Sequence, residues 1–510
     1  MFEGLTRFFG KLRAPKTLPA VLEEYESGRR HPVLPSLLVA LGEFQASRPA
    51  PTREAWRALL LHLDEVTGAT PTRRWLTLLV GHAERVGVSE FATTVTDWLG
   101  LMDAAACDFS PALTKGLVWL TLCLDADAMA PVLGALAERA DRKIPGRGPM
   151  SRGVVNACLR VLGSLDGDAG VAQLTRLKGV IEYRDAHHHL DRAFAGAATR
   201  RDLSVEQLEE RVVPDAGELN APIGNWTPSI TFEDGAPVLG WVRADGKRVR
   251  RVPAELQREH AEAVAARKAT FAEFEEVLEA QTNRLERLFW TQRTISLADF
   301  QAHTLGHPVV MLLARALVWT VGDRPALWFD GAFVDVDGKV FEPPQSATVQ
   351  LWHPVLASAE NVTAWRGRLE ALELTQPFAQ VDRPVFTLDA AELGGGLTRR
   401  WQGRRLRQQR LQTLCRRRQW QTSRIEVGMA DAVVRAVEPY ALHVLLEVAS
   451  DGAETTASGA STWLHTGAVR LQSPRELKTI PPVVLSEVLL EVDSLVRGSE
   501  AAASPAPNSR

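Results

Sequence analysis

Residues 35–66 read PSLLVALGEFQASRPAPTREAWRALLLHLDEV, and this stretch decides the first half of the fold. Leu37, Leu38, Leu41 and Phe44, then Trp56, Leu59, Leu60 and Leu63, recur at steps of three and four. That is the period of one helix face, not the alternation of a strand. Pro49 and Pro51 separate the two runs. The pattern returns in APVLGALAERA (130–140), again bounded by short breaks that contain Pro, Gly or Asp. One echo stands out. Trp75-Leu76-Thr77-Leu78 recurs as Trp119-Leu120-Thr121-Leu122, an offset of 119 − 75 = 44, within the roughly 40–47-residue period of HEAT-type helix pairs. Residues 1–200 are therefore expected to form an α-helical repeat.

Strand patterns begin after Pro214. Residues 215–235 read as irregular. APVLGWV and KRVRRV then flank Ala244-Asp245-Gly246, a hairpin with a DG turn. A long helix follows, from about Ala254 to Thr291. Phe271, Phe274, Leu278, Leu285 and Leu288 form its stripe, with Gln281 the one polar member. At 1.5 Å per residue it would run roughly 55 Å. Residues 297–322 read as helix interrupted at Pro308, ending in the apolar LLARALVWTV. Short strands are expected in ALWFDG, AFVDVDG, KVFEPP and ATVQLWHPV, and a helix in VTAWRGRLEAL. Gly394-Gly395-Gly396 marks a boundary or hinge. Beyond it come an Arg-rich helix, a strand pair (ALHVLLEVAS and STWLHTGAVRLQ) and a helix primed by Pro481-Pro482.

The fold class is thus α+β and predominantly helical: a HEAT-like helical repeat, then an α+β region with a long helix and small antiparallel sheets. The segments are 1–200, 201–393, 394–497 (which the reading leaves free to join the one before it) and a disordered tail, 498–510.

Composition excludes little. The formal net charge of the 510 residues is −3, with 45% hydrophobic and 24% charged residues. Nothing global selects nucleic acid or an anionic membrane. Cys107, Cys123, Cys158 and Cys415 lie far apart, without a CxxC pair. Reduced thiols and a cytoplasmic location fit that spacing best. MFEGLTRFFGKLR has no continuous apolar h-region and no cleavage-site pattern, so it does not read as a signal peptide; Phe2, Leu5, Phe8, Phe9 and Leu12 on one helical face read as a docking helix, with a weak membrane or partner anchor as the alternative. No run approaches the roughly 20 apolar residues of a transmembrane helix.

Several islands carry a resemblance. They include LAERADRKIPGRGPMSRGVVNACLRVLG (136–163), LSVEQLEERVVPD (203–215), Arg284-Leu285-Glu286, His307-Pro308 and Leu317-Val318-Trp319. Val336-Asp337-Gly338, His353-Pro354, QPFAQ (376–380), RPVF (383–386) and PPVVLSE (481–487) continue the order. Over about residues 115–495 the set resembles the bacterial MolR-like family, whose C-terminal region is a domain of unknown function often fused to WGR domains. The resemblance implies an association with molybdate regulation by name and, through WGR fusions, a nucleic-acid context. This chain has no WGR tripeptide.

The strongest local charge feature is LTRRWQGRRLRQQRLQTLCRRRQWQ (397–421), with nine arginines and no acid between Glu392 and Glu426. Arginine forks bind phosphate bidentately, and aromatic rings can stack on bases. Arg400, Trp401, Arg404, Arg405, Arg407 and Arg410 are accordingly candidates for binding nucleic acid or phosphate. Arg248 and Arg250, in the second basic cluster Lys247–Arg251, join them. The competing reading is an amphipathic helix that buries Leu397, Trp401, Leu411 and Leu414.

His187-His188-His189 diverge by about 100° each on a helix and read as a surface run. His303 and His307 have metal-ligand spacing, but Gly306 and Pro308 interrupt the helix they would need. No metal site and no cofactor are assigned. His307, His353 and Asp337 would suit acid/base work if they converged in a cleft. The competing reading has each His-Pro histidine bonding adjoining backbone. P-loop, dinucleotide and nucleophile-elbow motifs all fail their context.

Three functions remain. The leading one is a non-catalytic interaction or regulatory protein that binds a protein partner through the helical repeat of residues 1–200. The second is a nucleic-acid-associated protein using residues 397–421. The third is an enzyme built on His307, His353 and Asp337.

Overall fold

The computed structural model describes residues 15–501, apart from 32, 69, 215–218, 234–235, 423–429, 451–461 and 498–499. The N-terminal helix, the turn at Asp234, the loop joining the last strand pair and the tail beyond 501 lie outside the described residues. The chain forms two compact units, Met1–Gly224 with Ala254–Ala280 and Asn225–Pro253 with Gln281–Arg510.

The first unit is helical, as its periodicity requires. Its helices are α1 (Leu18–Glu26), α2 (Ser36–Ser47), α3 (Ala50–Leu63), α4 (Arg73–Val86), α5 (Ala92–Gly100), α6 (Ala104–Phe109), α7 (Pro111–Leu120), α8 (Ala126–Asp141), α9 (Arg152–Ser164), α10 (Ala169–Val180), α11 (Arg184–Arg200) and α12 (Val205–Arg211). A two-residue pair, β1 (Lys143–Ile144) and β2 (Gly148–Pro149), interrupts them. The breaks have local causes. The hydroxyls of Thr72, Ser110 and Ser151 accept the backbone N–H three residues on, capping α4, α7 and α9. Ser204 and Gln207 form a capping box on α12.

Helices pack on their next-but-one neighbours as well as the next: α7 on α9, α8 on α10, α9 on α11. That ladder is the mark of a helical stack. Phe44, Trp56, Phe91 and Trp98 meet edge to face near its start. The Trp-Leu-Thr-Leu echo marks no equivalent positions. Trp75 lies in the first turn of α4 and Trp119 in the last turn of α7.

The long helix is real. α13 (Ala254–Glu259) and α14 (Ala261–Thr291) are separated only at His260, across which backbone hydrogen bonds continue. Phe274, Leu278, Leu285 and Leu288 are buried, and so is Gln281, whose side-chain oxygen accepts from Arg284 Nε at 2.6 Å.

Among the described residues, the second unit holds three antiparallel sheets. The first is β3 (Trp226–Glu233), β4 (Ala236–Arg243) and β5 (Arg248–Val249), with Trp241 opposite Val249 across the expected DG turn. β3 corrects the reading of 215–235 as irregular. Its Pro228 is tolerated because β3 is an edge strand.

The second sheet comprises β6 (Ile295–Ser296), β7 (Trp319–Val321), β8 (Arg324–Phe329), β9 (Ala332–Val334), β10 (Val340–Phe341) and β11 (Thr348–Leu351), in the order β10-β9-β8-β7-β11-β6. The apolar run 312–321 is not one helix. After a single turn, α15 (Leu297–Asp299), and a π-helical turn at Phe300–Leu305, α16 (Pro308–Ala314) ends and Trp319–Val321 becomes a buried strand. Periodicity alone does not separate those states in a short apolar run. α17 (Ala359–Ala371) covers this sheet through Trp365 and Leu369, beside Val318, Leu327 and Trp352.

The third sheet contains β12 (Leu397–Thr398), β13 (Arg404–Arg407), β14 (Gln421–Thr422), β15 (Ala430–Val437), β16 (Leu442–Ser450), β17 (Trp463–Gln472) and β18 (Glu500–Ala501). Its order is β14-β15-β16-β17-β13-β18, with β12 also on β17. Between these strands lie α18 (Ala390–Gly395), ended by Gly396 in the left-handed region (φ 60°), and α19 (Gln408–Arg417). The last helix, α20 (Pro482–Val496), packs Val484, Val488, Leu489 and Val492 against Val444, Leu446 and Val469.

Candidate functional site

The arginine-rich segment is not one helix. Residues 397–422 run strand, turn, strand, helix, strand. Gly403 (φ 77°) sits in the turn, a conformation that breaks helix propagation. The two flanking tryptophans belong to the core. Trp401 donates through Nε1 to Asp493 Oδ1 at 3.0 Å, and Trp420 to Glu491 Oε2 at 2.9 Å. Both are buried, so neither offers a face to a base.

The arginines divide. Arg400 is tied to Glu392, at 3.2 Å from Nε, and to the Thr387 carbonyl. Arg410 donates to the Arg497 carbonyl. Arg404, Arg407, Arg416 and Arg417 are exposed. β13 pairs with β17 so that Arg405 opposes His465 and Arg407 opposes Trp463. Both guanidinium carbons lie over the Trp463 ring, at 4.2 and 5.0 Å from its centroid. Trp463 is half-buried and was not singled out by the sequence, because it lies about 60 residues from its arginines and only the β13–β17 register joins them. Lys247, Arg248, Arg250 and Arg251 are exposed as well. Arg243 of that hairpin pairs with Asp245, which holds the Asp245 carboxyl down at about 2.

The histidine–aspartate grouping does not form as a cleft. His307 caps α16, its Nδ1 accepting from Val310 N–H at 3.4 Å. Asp337 is exposed in a turn, where its N–H donates to Asp335 Oδ1 at 3.1 Å. His353 has both ring nitrogens engaged elsewhere. Nδ1 accepts from Val355 N–H at 3.0 Å, and Nε2 stands 3.1 Å from Glu487 Oε1. No ring nitrogen is left for His307 or Asp337.

Instead, His353 belongs to a buried polar centre. Arg383 clamps Glu487 bidentately, Nε to Oε1 at 2.6 Å and Nη2 to Oε2 at 2.6 Å. Its Nη1 donates to Glu286 Oε1 at 2.8 Å. Phe289, one turn past Glu286 on α14, meets the His353 ring edge to face at 4.9 Å and lies under the Arg383 guanidinium at 4.8 Å. Beside it, Gln380 braces backbone: Oε1 accepts from Val318 N–H at 2.8 Å, and Nε2 donates to Val318 O and Trp352 O.

Burial would raise the Glu487 carboxyl, but the hydrogen bonds from His353 and Arg383 outweigh it and hold the group below the usual carboxylate range. A second buried acid behaves oppositely. Burial pushes Glu491 up, and its partners Arg435 and Trp420 do not make up the difference. Since His353 Nδ1 accepts a backbone N–H, its own hydrogen sits on Nε2 and points at Glu487. A general base needs one ring nitrogen on its orienting acid and the other free for substrate. Here the second nitrogen is spent on the chain's own backbone. The centre has the composition of catalytic machinery and the wiring of a structural brace.

Residues 246–420 match the family described as "Domain of unknown function (DUF4132)". That span holds Glu286, His353, Arg383 and the arginine surface. The chain is also 25% identical over 280 residues to "Uncharacterized protein YehI" of Escherichia coli (strain K12), which covers 51% of this chain and 23% of that protein. This chain therefore spans less than a quarter of that relative's length. No solved structure matches. Among the described residues, no helix is long and apolar enough to cross a membrane.

Proposed function

We propose that this chain is a cytoplasmic, non-catalytic binding protein of the MolR-like kind whose α+β unit engages nucleic acid. The observation that carries this reading is the exposed basic surface of β13 and α19, where Arg405 and Arg407 flank Trp463 and Arg404, Arg416 and Arg417 reach solvent. Exposed guanidinium groups on an acid-free segment attract a polyanion through its phosphates, without need of sequence. The wiring of His353 supports a binding role over a catalytic one. The test is binding of single- and double-stranded DNA and RNA at low and moderate salt. An Arg404→Glu, Arg407→Glu, Arg416→Glu variant runs alongside, with circular dichroism to check folding. Salt-sensitive binding lost in a folded variant supports the reading; no binding at low salt overturns it.

A second reading keeps a protein partner on the helical unit. Its support is that Leu78 and Val80 on α4 are each 47% exposed and Leu101 after α5 is 40% exposed. Leu78→Glu with Val80→Glu would leave nucleic-acid binding intact while removing such a partner.

A further inference from the structure

The third sheet has one covered face and one open face. Leu406, Val433, Val444, Leu446, Leu464 and Val469 are buried in the core that α20 closes. Strand alternation turns their neighbours the other way. There Arg407 is exposed, and Arg405, Val434, Leu445, Trp463 and His465 are half-buried. Trp463 is therefore a large aromatic ring on the side of the sheet away from its core. From the neighbouring strand the Arg405 and Arg407 guanidinium carbons lie over it, at 4.2 and 5.0 Å from the ring centroid. His465, two residues along β17, faces the same way, opposite Arg405.

The charge on this face selects an anion. Arg405, Arg407 and Arg470 belong to it, and Arg399 acts on Glu447 from the end of β12. Two acids oppose them. Glu447 is spent within the sheet: it accepts from Arg470 and from the Ala468 N–H, and the Arg470 hydrogen bond holds its carboxyl below the usual range. Glu500 stands opposite Arg405 in register, whereas Arg407 lies past that pairing and opposes Trp463 instead. Cations beside an aromatic ring suit a nucleic-acid strand, whose phosphates take guanidinium groups and whose bases stack on rings and on guanidinium planes. A duplex does not fit this face. Its bases are already stacked on one another, and only their edges are open in the grooves. The six strands of the sheet, about 4.8 Å apart, span roughly 24 Å. That is about twice the width of the major groove, which admits a helix or a two-stranded ribbon.

We propose that the open face of this sheet holds a single strand of nucleic acid, its unpaired bases stacked on Trp463 and the guanidinium planes beside it. Arg407 meets the phosphates, and His465 offers a second ring on the same face. The proposal rests on the nucleic-acid role given above and adds the form of the ligand: bases must be unpaired to reach the ring. Duplex phosphates can still be met by Arg416 and Arg417, which stand on α19 and not on the sheet.

The test is fluorescence anisotropy of the full chain at low salt with a labelled, mixed-sequence DNA strand of about 20 nucleotides, longer than the roughly 4–16 that one strand-binding fold covers. Its duplex and an abasic strand with the same number of phosphates serve as competitors. We expect the base-bearing strand to bind about tenfold or more tighter than the abasic one, as stacking on one ring provides. Trp463→Leu should bring the two together, and Trp463→Phe should keep them apart. Duplex affinity should be the same in all three proteins, with circular dichroism to check folding. Equal binding of base-bearing and abasic strands by the wild type overturns the inference, whatever the variants do. So does a preference that survives Trp463→Leu in a folded protein. Equal loss of duplex binding in that variant overturns it too, by marking the ring as a support for Arg405 and Arg407. If no nucleic acid binds at low salt, the nucleic-acid role fails and this inference with it. Binding of strand, duplex and abasic chain alike leaves that role standing and removes only the single-strand assignment.

Discussion

His353 Nε2 lies 3.1 Å from Glu487 Oε1, a contact across 134 positions of sequence in which the side chains are 0% and 1% exposed. Arg383 closes on the same carboxylate, and Glu286 closes on Arg383. Four elements remote in sequence are thereby pinned: α14, the start of the turn at Pro354–Leu356, the segment after Gln380, and α20. Removing one member of such a pair leaves an uncompensated buried charge, at about 3–5 kcal/mol. Glu487→Gln should therefore lower the urea midpoint of the second unit by that equivalent with the slope unchanged. A loss below about 1 kcal/mol would show that the centre does not hold the unit together.

The same carboxylate gives the pH dependence a sign. Its folded pKa is depressed below the unfolded value of about 4.3. Its contribution is present above that value and is lost as pH falls through the depressed one. Wild-type stability should drop below about pH 4, and Glu487→Gln should flatten that acid limb. Glu491, pushed up by burial, works in the opposite direction in both proteins. The Glu487 charge is one of the causes that raise Glu491, so the difference between the two curves reports Glu487 together with a partial relief of Glu491. Parallel acid limbs would remove Glu487 from this role.

Helical spacing made most of the first unit legible, and the DG turn at Asp245-Gly246 gave the hairpin. Where single residues decide, the reading failed. Pro228 hid an edge strand. LVWTV was too short for its period to tell strand from helix. Gly403 turned a basic helix into a strand and a separate helix, and Trp401 and Trp420 went inward to meet acids on α20. The polar centre was visible only as islands. Glu286, His353, Gln380, Arg383 and Glu487 each stood in one, but nothing local says that a glutamate near the end of the chain will meet a histidine 134 positions earlier. Trp463 gave no signal, since its arginines reach it only through strand pairing.

Helix packing in the first unit makes an opposed pair of expectations. A Cβ on Gly116 of α7 would stand 2.2 Å from the Leu63 carbonyl oxygen at the end of α3. Backbone cannot yield there as a flexible side chain could, so Gly116→Ala should cost about 1–3 kcal/mol or more. Gly81, inside α4, has nothing within 4 Å of its added Cβ. Gly81→Ala should instead raise stability by about 0.5–1 kcal/mol through helix propensity. Thermal unfolding of both checks this, and shifts of the same sign would contradict the packing.

The cysteines should behave as core residues. Cys107, Cys158 and Cys415 are buried and Cys123 is half-buried; burial pushes all four thiols up, Cys415 to about 12. Thiolate is the reactive form. Iodoacetamide at neutral pH should label none of them rapidly in the native protein, Cys123 first on long exposure, and all four in denaturant. One fast-labelling native cysteine, identified by mass spectrometry, would contradict this burial.

The arginine surface can be tested one phosphate at a time. Each cation that neutralises a phosphate releases counterions, so losing one such contact should reduce the slope of log affinity against log salt by about 1. Arg407→Gln removes one exposed guanidinium beside Trp463, and adding Arg404→Gln removes a second exposed guanidinium of β13. The slope should fall by about one unit and then about two. Trp463→Leu removes the ring but no cation, so affinity should fall with the slope retained if a base stacks there. Loss of slope in Trp463→Leu would mean that the ring only positions Arg405 and Arg407. An unchanged slope in the arginine variants would move any nucleic acid off β13.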